Sequence, residues 1–326
     1  MTWDMGIKNA IRLEGDSEFA LIFISRSVNR KGAWSMNAGI VGLGTMGGRA
    51  AKKILEAGHR VLGYDIDKDA NRLAEKDGVR IVSSSRDLRE VEFVFLSLPG
   101  PAEVTTVMTE GPGALIDHLH PESVIIDLSS VDPQTSRSMA EAAHAEGSFY
   151  LDAPVLGRPP SVGNWILPVG GDKGALERAQ RILSCIAAKA VHVGPSGAGS
   201  AVKLLNNLMV GAMNAVIAES MALAHKFNLS PKILFDIIGL SEAPTNNLLF
   251  QVKGKKILEG DFTPSFKLDL LAKDNDLCVK EAGRLGIPLL IGRAVDMVNK
   301  LAQRKGFGNQ DTCVLYSFFT DLYPNA

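Results

Sequence analysis

From Asn37 onward, short β-branched runs alternate with helical stretches, and at the glycine-rich "GPSGAGSA" the alternation stops. "AGIVGLG" reads as a strand and a turn, and Thr45 to Ala57 as a helix closed by Gly58. "HRVLGYD" follows as a strand and "DANRLAEKDG" as a helix. "VRIV", "VEFVFLSLP", "SVIIDLS", "FYLDAPV", "NWILPVGG" and "KAVHVG" continue the strand series. Strands separated by helices imply βαβ units and a largely parallel sheet. After Ser200 the chain reads as helical almost to its end: the stretch opening at Ala201, then Ser230 to Leu240, Lys267 to Leu285 and Gly292 to Lys305. The expected class is α/β, a Rossmann-type doubly wound parallel sheet over residues 36–197 followed by an all-α domain over residues 198–326.

A chain of 326 residues has room for two such units. With 46% hydrophobic residues, 22% charged residues and a net charge of −1, it shows no sign of nucleic-acid binding or of a polybasic membrane patch. Small-molecule chemistry is what remains. Cys185, Cys278 and Cys313 are few, odd in number and far apart, which argues against a disulfide framework and fits a reducing cytoplasm. The six histidines show no metal-ligand spacing, so no metal site is expected. No apolar run approaches the length of a membrane span. Residues 1–35 stand apart. "EFALIFIS" is preceded by Glu14, Asp16 and Glu18, which suits neither a signal peptide nor an acid-poor transit peptide. An extension outside the core, or a start assigned too early, is the expectation there.

"GLGTMG" sets Gly42, Gly44 and Gly47 in G-x-G-x-x-G spacing, with Leu43, Thr45 and Met46 between them. With 32 glycines in the chain the pattern alone is weak, but here it follows a strand and opens a helix. Gly42 permits the tight turn, Gly44 lets a pyrophosphate approach the backbone, and Gly47 allows close helix–strand packing. The helix N-terminus then offers free N–H groups to phosphate. Asp65 ends the second strand near the offset of about 20 residues expected of a ribose-binding acid. Its carboxylate would accept from the adenosine 2′-OH and repel a 2′-phosphate, so NAD is the expected cofactor, with NADP as the alternative that nearby Lys68 and Arg72 leave open. The other reading of Asp65 is a turn or cap residue, since "DIDKDA" also suits a helix start.

The stretch "AVKLLNNLMVGAMNAV" is apolar on most of its circumference, yet Lys203, Asn207 and Asn214 share one stripe at helical spacing, with Asn206 beside it. Such a helix is usually buried, and a buried lysine is costly unless it is paired or titrates away. The stripe therefore either faces water or lines a site, and its place at a domain junction suits a ligand cleft.

Four blocks, "GLGTMGGRAAKKILEAGH", "LDAPVLGRPPSVGNWILPVGG", "GPSGAGSAVKLLNN" and "AKDNDL", together resemble the β-hydroxyacid dehydrogenases, the family that includes 3-hydroxyisobutyrate dehydrogenase and tartronate semialdehyde reductase. The likeness runs from Met36 nearly to the end. It implies that Lys203 is a general acid/base and that Asn207, one turn on and on the same helix face, holds the substrate with Asn206. Hydride transfer at a carbinol carbon needs proton transfer at its oxygen; an ammonium can donate in reduction and a neutral amine accept in oxidation. Burial and a nearby nicotinamide would lower the lysine pKa. The resemblance further places Leu98 and Pro99 of "LSLP", Ser130 of "IDLSS" (where the family usually has threonine) and Lys273 at the cofactor, although the usual Lys-Asp-Leu reads Lys-Asp-Asn here. For Lys273 a helix-surface charge is the alternative.

The family's Asp-x-Pro-Val-Ser-Gly-Gly departs at its substrate-holding end, where Leu156, Gly157 and Arg158 stand. Arg158 is then the candidate for an acidic substrate, with Arg158 in solvent and Leu156 packing a less polar substrate as the other reading. The implied activity is a nicotinamide-dependent interconversion of a short 3-hydroxy acid, or close analogue, and its aldehyde, in a homodimer or homotetramer joined through the helical domain. An imine reductase or short 6-phosphogluconate dehydrogenase is the nearer alternative. The former usually lacks the lysine, and the latter has histidine where Asn206 stands. A non-catalytic cofactor-binding module is the more distant one.

Overall fold

The computed structural model describes residues 35–323, so the expectation for the N-terminal extension lies, Ser35 apart, outside the described residues. Eight strands form one sheet: β1 (Asn37–Val41), β2 (Arg60–Tyr64), β3 (Arg80–Ile81), β4 (Phe93–Leu96), β5 (Val124–Asp127), β6 (Phe149–Asp152), β7 (Trp165–Gly170) and β8 (Ala187–Gly194). Their order is β3-β2-β1-β4-β5-β6-β7-β8. Every pair is parallel except β6 with β7. That one reversal follows from the connection, because β6 runs into β7 through a loop with no crossover helix. Elsewhere α1 (Thr45–Glu56), α2 (Lys68–Lys76), α3 (Pro101–Thr109), α4 (Pro133–Ala145) and α5 (Lys173–Leu183) supply the crossovers, except from β3 to β4, where only the 3₁₀ turn Ser85–Leu88 intervenes. β4 and β5 are buried along their whole length, which explains why "FVFL" and "VIID" read as continuous runs rather than alternating ones. The strand order turns back between β1 and β4, and a crevice at the carboxyl ends of such strands is where ligands bind.

α6 (Ala198–Ala224) begins almost directly after β8. It packs on β7 and against α8 (Leu248–Glu259), α9 (Leu268–Arg284), α10 (Leu290–Arg304) and α11 (Leu315–Leu322), while α7 (Pro231–Leu240) lies against α6 and α8. α8 and α11 go beyond the helices expected from sequence. The pattern of α8 is blurred by a buried lysine and glycine, Lys253 and Gly254. α11, "LYSFFTDL", is short and rich in aromatics that favour strands.

α6 also corrects the reading that no apolar run is long enough to span a bilayer. With the 3₁₀ turn that follows it covers 30 residues, and an 18-residue stretch within it reaches a mean hydropathy of 1.4, enough by length and composition. The helix runs through Lys203 and the asparagines, of which Asn207 and Asn214 are buried against protein. Its circumference is not wholly buried either. Gly211, Asn214, Ala215, Ala218 and Ala222 pack inward, whereas Leu205, Met209 and Val216 are exposed on another face.

Candidate active site

The glycine turn sits at the switch point between β1 and α1. Gly42 has φ 91°, and a Cβ there would fall 2.2 Å from Ser97 O; one on Gly47 would fall 1.9 Å from Gly42 O. Gly44 has nothing within 4 Å of a Cβ position and, with Thr45, is exposed. Gly44 is the N-cap of α1 and has no side chain to offer, and the first turn carries no acid. The N–H groups of Thr45, Met46 and Gly47 thus lack a side-chain acceptor, and the residues present fit a pyrophosphate. Asp65, just past β2, accepts from Leu43 N at 2.6 Å and from Asp67 N at 2.8 Å. The cap of α2 is instead Asp67, which accepts from Asp69 N at 2.8 Å. Asp65 therefore ties the end of β2 to the glycine turn. Arg72 pairs with Asp69, and Lys68 is exposed.

The start of α6 is held by a residue 45 positions earlier. Gly197, its N-cap, has φ 94° and no capping side chain of its own. Asp152, at the end of β6, accepts from Gly197 N and Ser200 N, both at 2.8 Å. Burial pushes the Asp152 carboxyl up to about 6, against the pull of those two N–H groups. Gly170 and Gly199 make the room, because a Cβ on either would fall within 2.6 Å of Asp152 oxygens. Ser200 Oγ lies 2.8 Å from Ser136 Oγ of α4, which fixes the same turn from the sheet side.

One turn further on, Lys203 Nζ donates to Val155 O at 2.7 Å. Burial lowers the pKa of its ammonium; Asp274 opposes the shift, and Lys273 adds to it. Asn207, buried on the next turn, donates from Nδ2 to Asp274 Oδ2 at 2.5 Å and accepts from Asn206 Nδ2 at 2.9 Å. Lys273 reaches out of α9 to Pro99 O at 2.8 Å and Ser130 O at 2.7 Å, and its ammonium lies 3.1 Å from Asp274 Oδ1. The loops it grips are braced from behind: Leu98 N donates to Ser129 Oγ, and Ser129 N to Asp127 Oδ1. Lys273 is thus a bridge between the helical domain and the loops after β4 and β5, not a free surface charge.

The β6–β7 loop carries the remaining candidates. Leu156 pairs with Ile166, donating at 2.9 Å and accepting at 3.2 Å, so both of its main-chain polar groups are occupied. Gly157 and Arg158 are exposed. The Arg158 main chain is clamped, its N–H on Ser161 Oγ and its carbonyl accepting from Trp165 Nε1 at 2.9 Å. No hydrogen bond or ion pair among the described residues brings its guanidinium to Lys203 or Asn207.

The fold therefore gathers Lys203, Asn206, Asn207, Lys273, Pro99 and Ser130 about one junction, with Gly42 to Gly47, Asp65 and Leu98 on the sheet side. Sequence reasoning passed over Asp274 and Asp152. Both lay inside quoted blocks, and the available signal was an acid next to a site lysine or at a strand end facing a glycine-rich helix start.

Residues 37–194 match the family model described as the NAD-binding domain of 6-phosphogluconate dehydrogenase. Residues 197–319 match the model described as NAD-binding of NADP-dependent 3-hydroxyisobutyrate dehydrogenase. The 2-(hydroxymethyl)glutarate dehydrogenase of Eubacterium barkeri is 33% identical over 85% of this chain and 92% of its own. The 3-sulfolactaldehyde reductase of Escherichia coli (strain K12) is 30% identical over 83% and 91%. The 3-hydroxyisobutyrate dehydrogenase of Mycobacterium tuberculosis, solved with L-serine, superposes with a TM-score of 0.79 at 27% identity, over 87% of this chain and 99% of that one.

Proposed function

This chain belongs to the β-hydroxyacid dehydrogenase family, and we propose that it interconverts a short 3-hydroxy acid, or close analogue, and the corresponding aldehyde. The observation that carries the reading is Lys203, enclosed at the domain junction with its Nζ on a neutral carbonyl and its pKa lowered by burial. A bound nicotinamide dinucleotide supplies or accepts the hydride. Lys203 gives a proton to the substrate oxygen in reduction and, as the neutral amine, takes the hydroxyl proton in oxidation. Val155 O holds one ammonium proton and so aims the others. Asn207, whose Nδ2 is anchored on Asp274, orients the substrate with Asn206. The first turn of α1 holds the pyrophosphate, Asp65 the adenosine ribose, and Leu98, Pro99 and Ser130 the nicotinamide end. Asp65 favours NAD over NADP.

Because the Leu156 main chain is closed by Ile166, the substrate anion is held by Arg158, whose guanidinium can grip a carboxylate or sulfonate through parallel hydrogen bonds. Pro159 and Pro160 stiffen the loop that presents it. The names of the two curated relatives, a glutarate derivative and a sulfo compound, support an anionic substrate. The exposed Leu205, Met209 and Val216 of α6, with Ile233 and Ile237 of α7, support a homodimer or homotetramer formed through the helical domain. Three free thiols suit the cytoplasm.

Steady-state turnover of hydroxy acids and aldehydes with NAD and with NADP tests the reading. Lys203→Ala should abolish most turnover while leaving cofactor affinity intact, and a variant that kept its rate would sink the assignment. Arg158→Ala should cost roughly 10- to 100-fold in kcat/KM for an acidic substrate, since hydrogen bonds to charged groups are worth about 1.5–3 kcal/mol. It should cost much less for an uncharged aldehyde of similar size. Equal losses on both would remove Arg158 from the anion site.

A further inference from the structure

Asn275 follows Asp274 on α9 and is completely buried, as is Asn299 of α10. Asn275 Nδ2 donates to the main-chain carbonyl of Asn207 at 3.1 Å, and its Oδ1 accepts from Asn299 Nδ2 at 3.3 Å. α6 and α9 meet closely at this point because position 211 of α6 is glycine: a Cβ there would lie 2.2 Å from Asn275 Oδ1. A chain of amides, Asn299 to Asn275 to Asn207, therefore joins α10, α9 and α6 through the protein interior. An apolar side chain would pack in several registers along the groove between α6 and α9. A buried amide is satisfied only where a carbonyl receives it, and leaving it unsatisfied is costly. Single buried asparagines fix helix register on this principle.

We propose that Asn275 is a positioning residue for the reaction. It sets the turn of α6 that carries Asn207 against α9, and with it the placement of the Asn207 amide relative to Lys203. The inference rests on the roles given above to Lys203 and Asn207. Asn207 then has its backbone held by Asn275 and its side chain by Asp274, two consecutive residues of one helix turn. A shift of that turn by a fraction of its rise displaces both anchors together. Small misplacements of reacting groups cost on the order of 10²-fold in rate.

The test compares Asn275→Ala with Asn299→Ala in the full-length protein, well below both melting transitions. Both variants lose part of the amide chain and should melt earlier. Asn275→Ala should lower kcat/KM by roughly 10- to 100-fold, raise KM for the hydroxy acid and displace the pH profile of kcat, with cofactor Kd unchanged. Asn299→Ala should keep wild-type kinetics. Wild-type kcat/KM and pH profile in Asn275→Ala, or equal kinetic losses in both variants, would overturn the proposal. Should Asn275→Ala be insoluble, Asn275→Asp decides in the same way, since it keeps the acceptor for Asn299 and turns an oxygen towards Asn207 O. An active Lys203→Ala would instead overturn the reading on which this rests, whereas an inactive Lys203→Ala beside a kinetically normal Asn275→Ala would overturn only the role of Asn275.

Discussion

The helical domain draws two lysines away from bulk water in two different settings, the partly buried Lys203 at the domain junction and the buried Lys253 of α8, which faces the 3₁₀ turn Thr312–Val314. Lys253 Nζ lies 2.6 Å from Asp311 Oδ1, and the side chains are 6% and 0% exposed. The carboxylate also accepts from Ser265 N at 2.8 Å, Ser265 Oγ at 2.7 Å and Cys313 N at 3.1 Å. The ammonium beside Asp311 and these donors hold its carboxyl well below the usual carboxylate range against the opposing effect of burial, and burial beside Asp311 pushes the Cys313 thiol up to about 12. Lys203 has a carbonyl for its partner, and Asp274, the carboxylate whose charge acts on it, is bonded to Asn207 instead. Burial alone does not make a lysine reactive. A contacting carboxylate turns it into a strut, and a neutral acceptor leaves it free to titrate.

The largest expected effect separates the two. Lys203→Ala should lower kcat by about 10²–10⁴-fold, the usual contribution of a positioned acid or base, while the melting temperature stays level or rises. The reverse is expected of Lys253→Met: kcat per folded molecule is kept, and about 3–5 kcal/mol of stability is lost because Asp311 is left buried without its partner. Thermal unfolding and kcat measured on the same preparations read both. A stable, slow Lys253→Met would erase the distinction.

Acid should weaken the strut. The folded pKa of Asp311 is depressed below the unfolded value of about 3.9. Its contribution to stability is therefore fully present above that value and is lost as pH falls through it towards the folded pKa. Lys253→Met should lack this acid-dependent loss, a difference visible in unfolding curves taken from pH 6 down to about 3.

How far the sequence discloses each region follows the same divide. The sheet domain reads clearly because its signals are local: β-branched runs, crossover helices, and a glycine pattern next to a strand. Lys203 and Asn207 were legible because one helix face carries both. Lys253 was not, since its partner Asp311 is 58 positions away, and nothing near "VKGKK" distinguishes the buried lysine from its neighbours, the exposed Lys255 and the half-buried Lys256. Asp152 and Asn275 were missed for a related reason. Their partners, Gly197, Ser200 and Asn207, are brought to them by packing, and no periodicity within β6 or α9 announces a bond to another element. Arg158 shows the opposite limit, because its motif position was plain while its guanidinium is not drawn to the lysine by any contact among the described residues.

The smallest expected effect tests whether distance from a carboxylate is what leaves Lys203 titratable. Asp274 is buried, bonded to Asn207 and 3.1 Å from the Lys273 ammonium, and its charge raises the Lys203 pKa against burial. Asp274→Asn keeps the shape and removes the charge. The Lys203 pKa should then fall further, so in the oxidative direction the rise of kcat with pH, which follows loss of the Lys203 proton, should move to lower pH. In the reductive direction the loss of rate on raising pH should begin earlier, because the ammonium is the donor there. The weakened anchor on Asn207 should cost about 10-fold in kcat/KM, the scale of one hydrogen bond to a charged group. Asp311→Asn makes the same chemical change at the strut and should lower the melting temperature with the pH profile of kcat unmoved. If instead Asp274→Asn left the profile in place, the proton that moves in the reaction would not be the one Asp274 influences, and Lys203 would have to be regarded as a strut like Lys253.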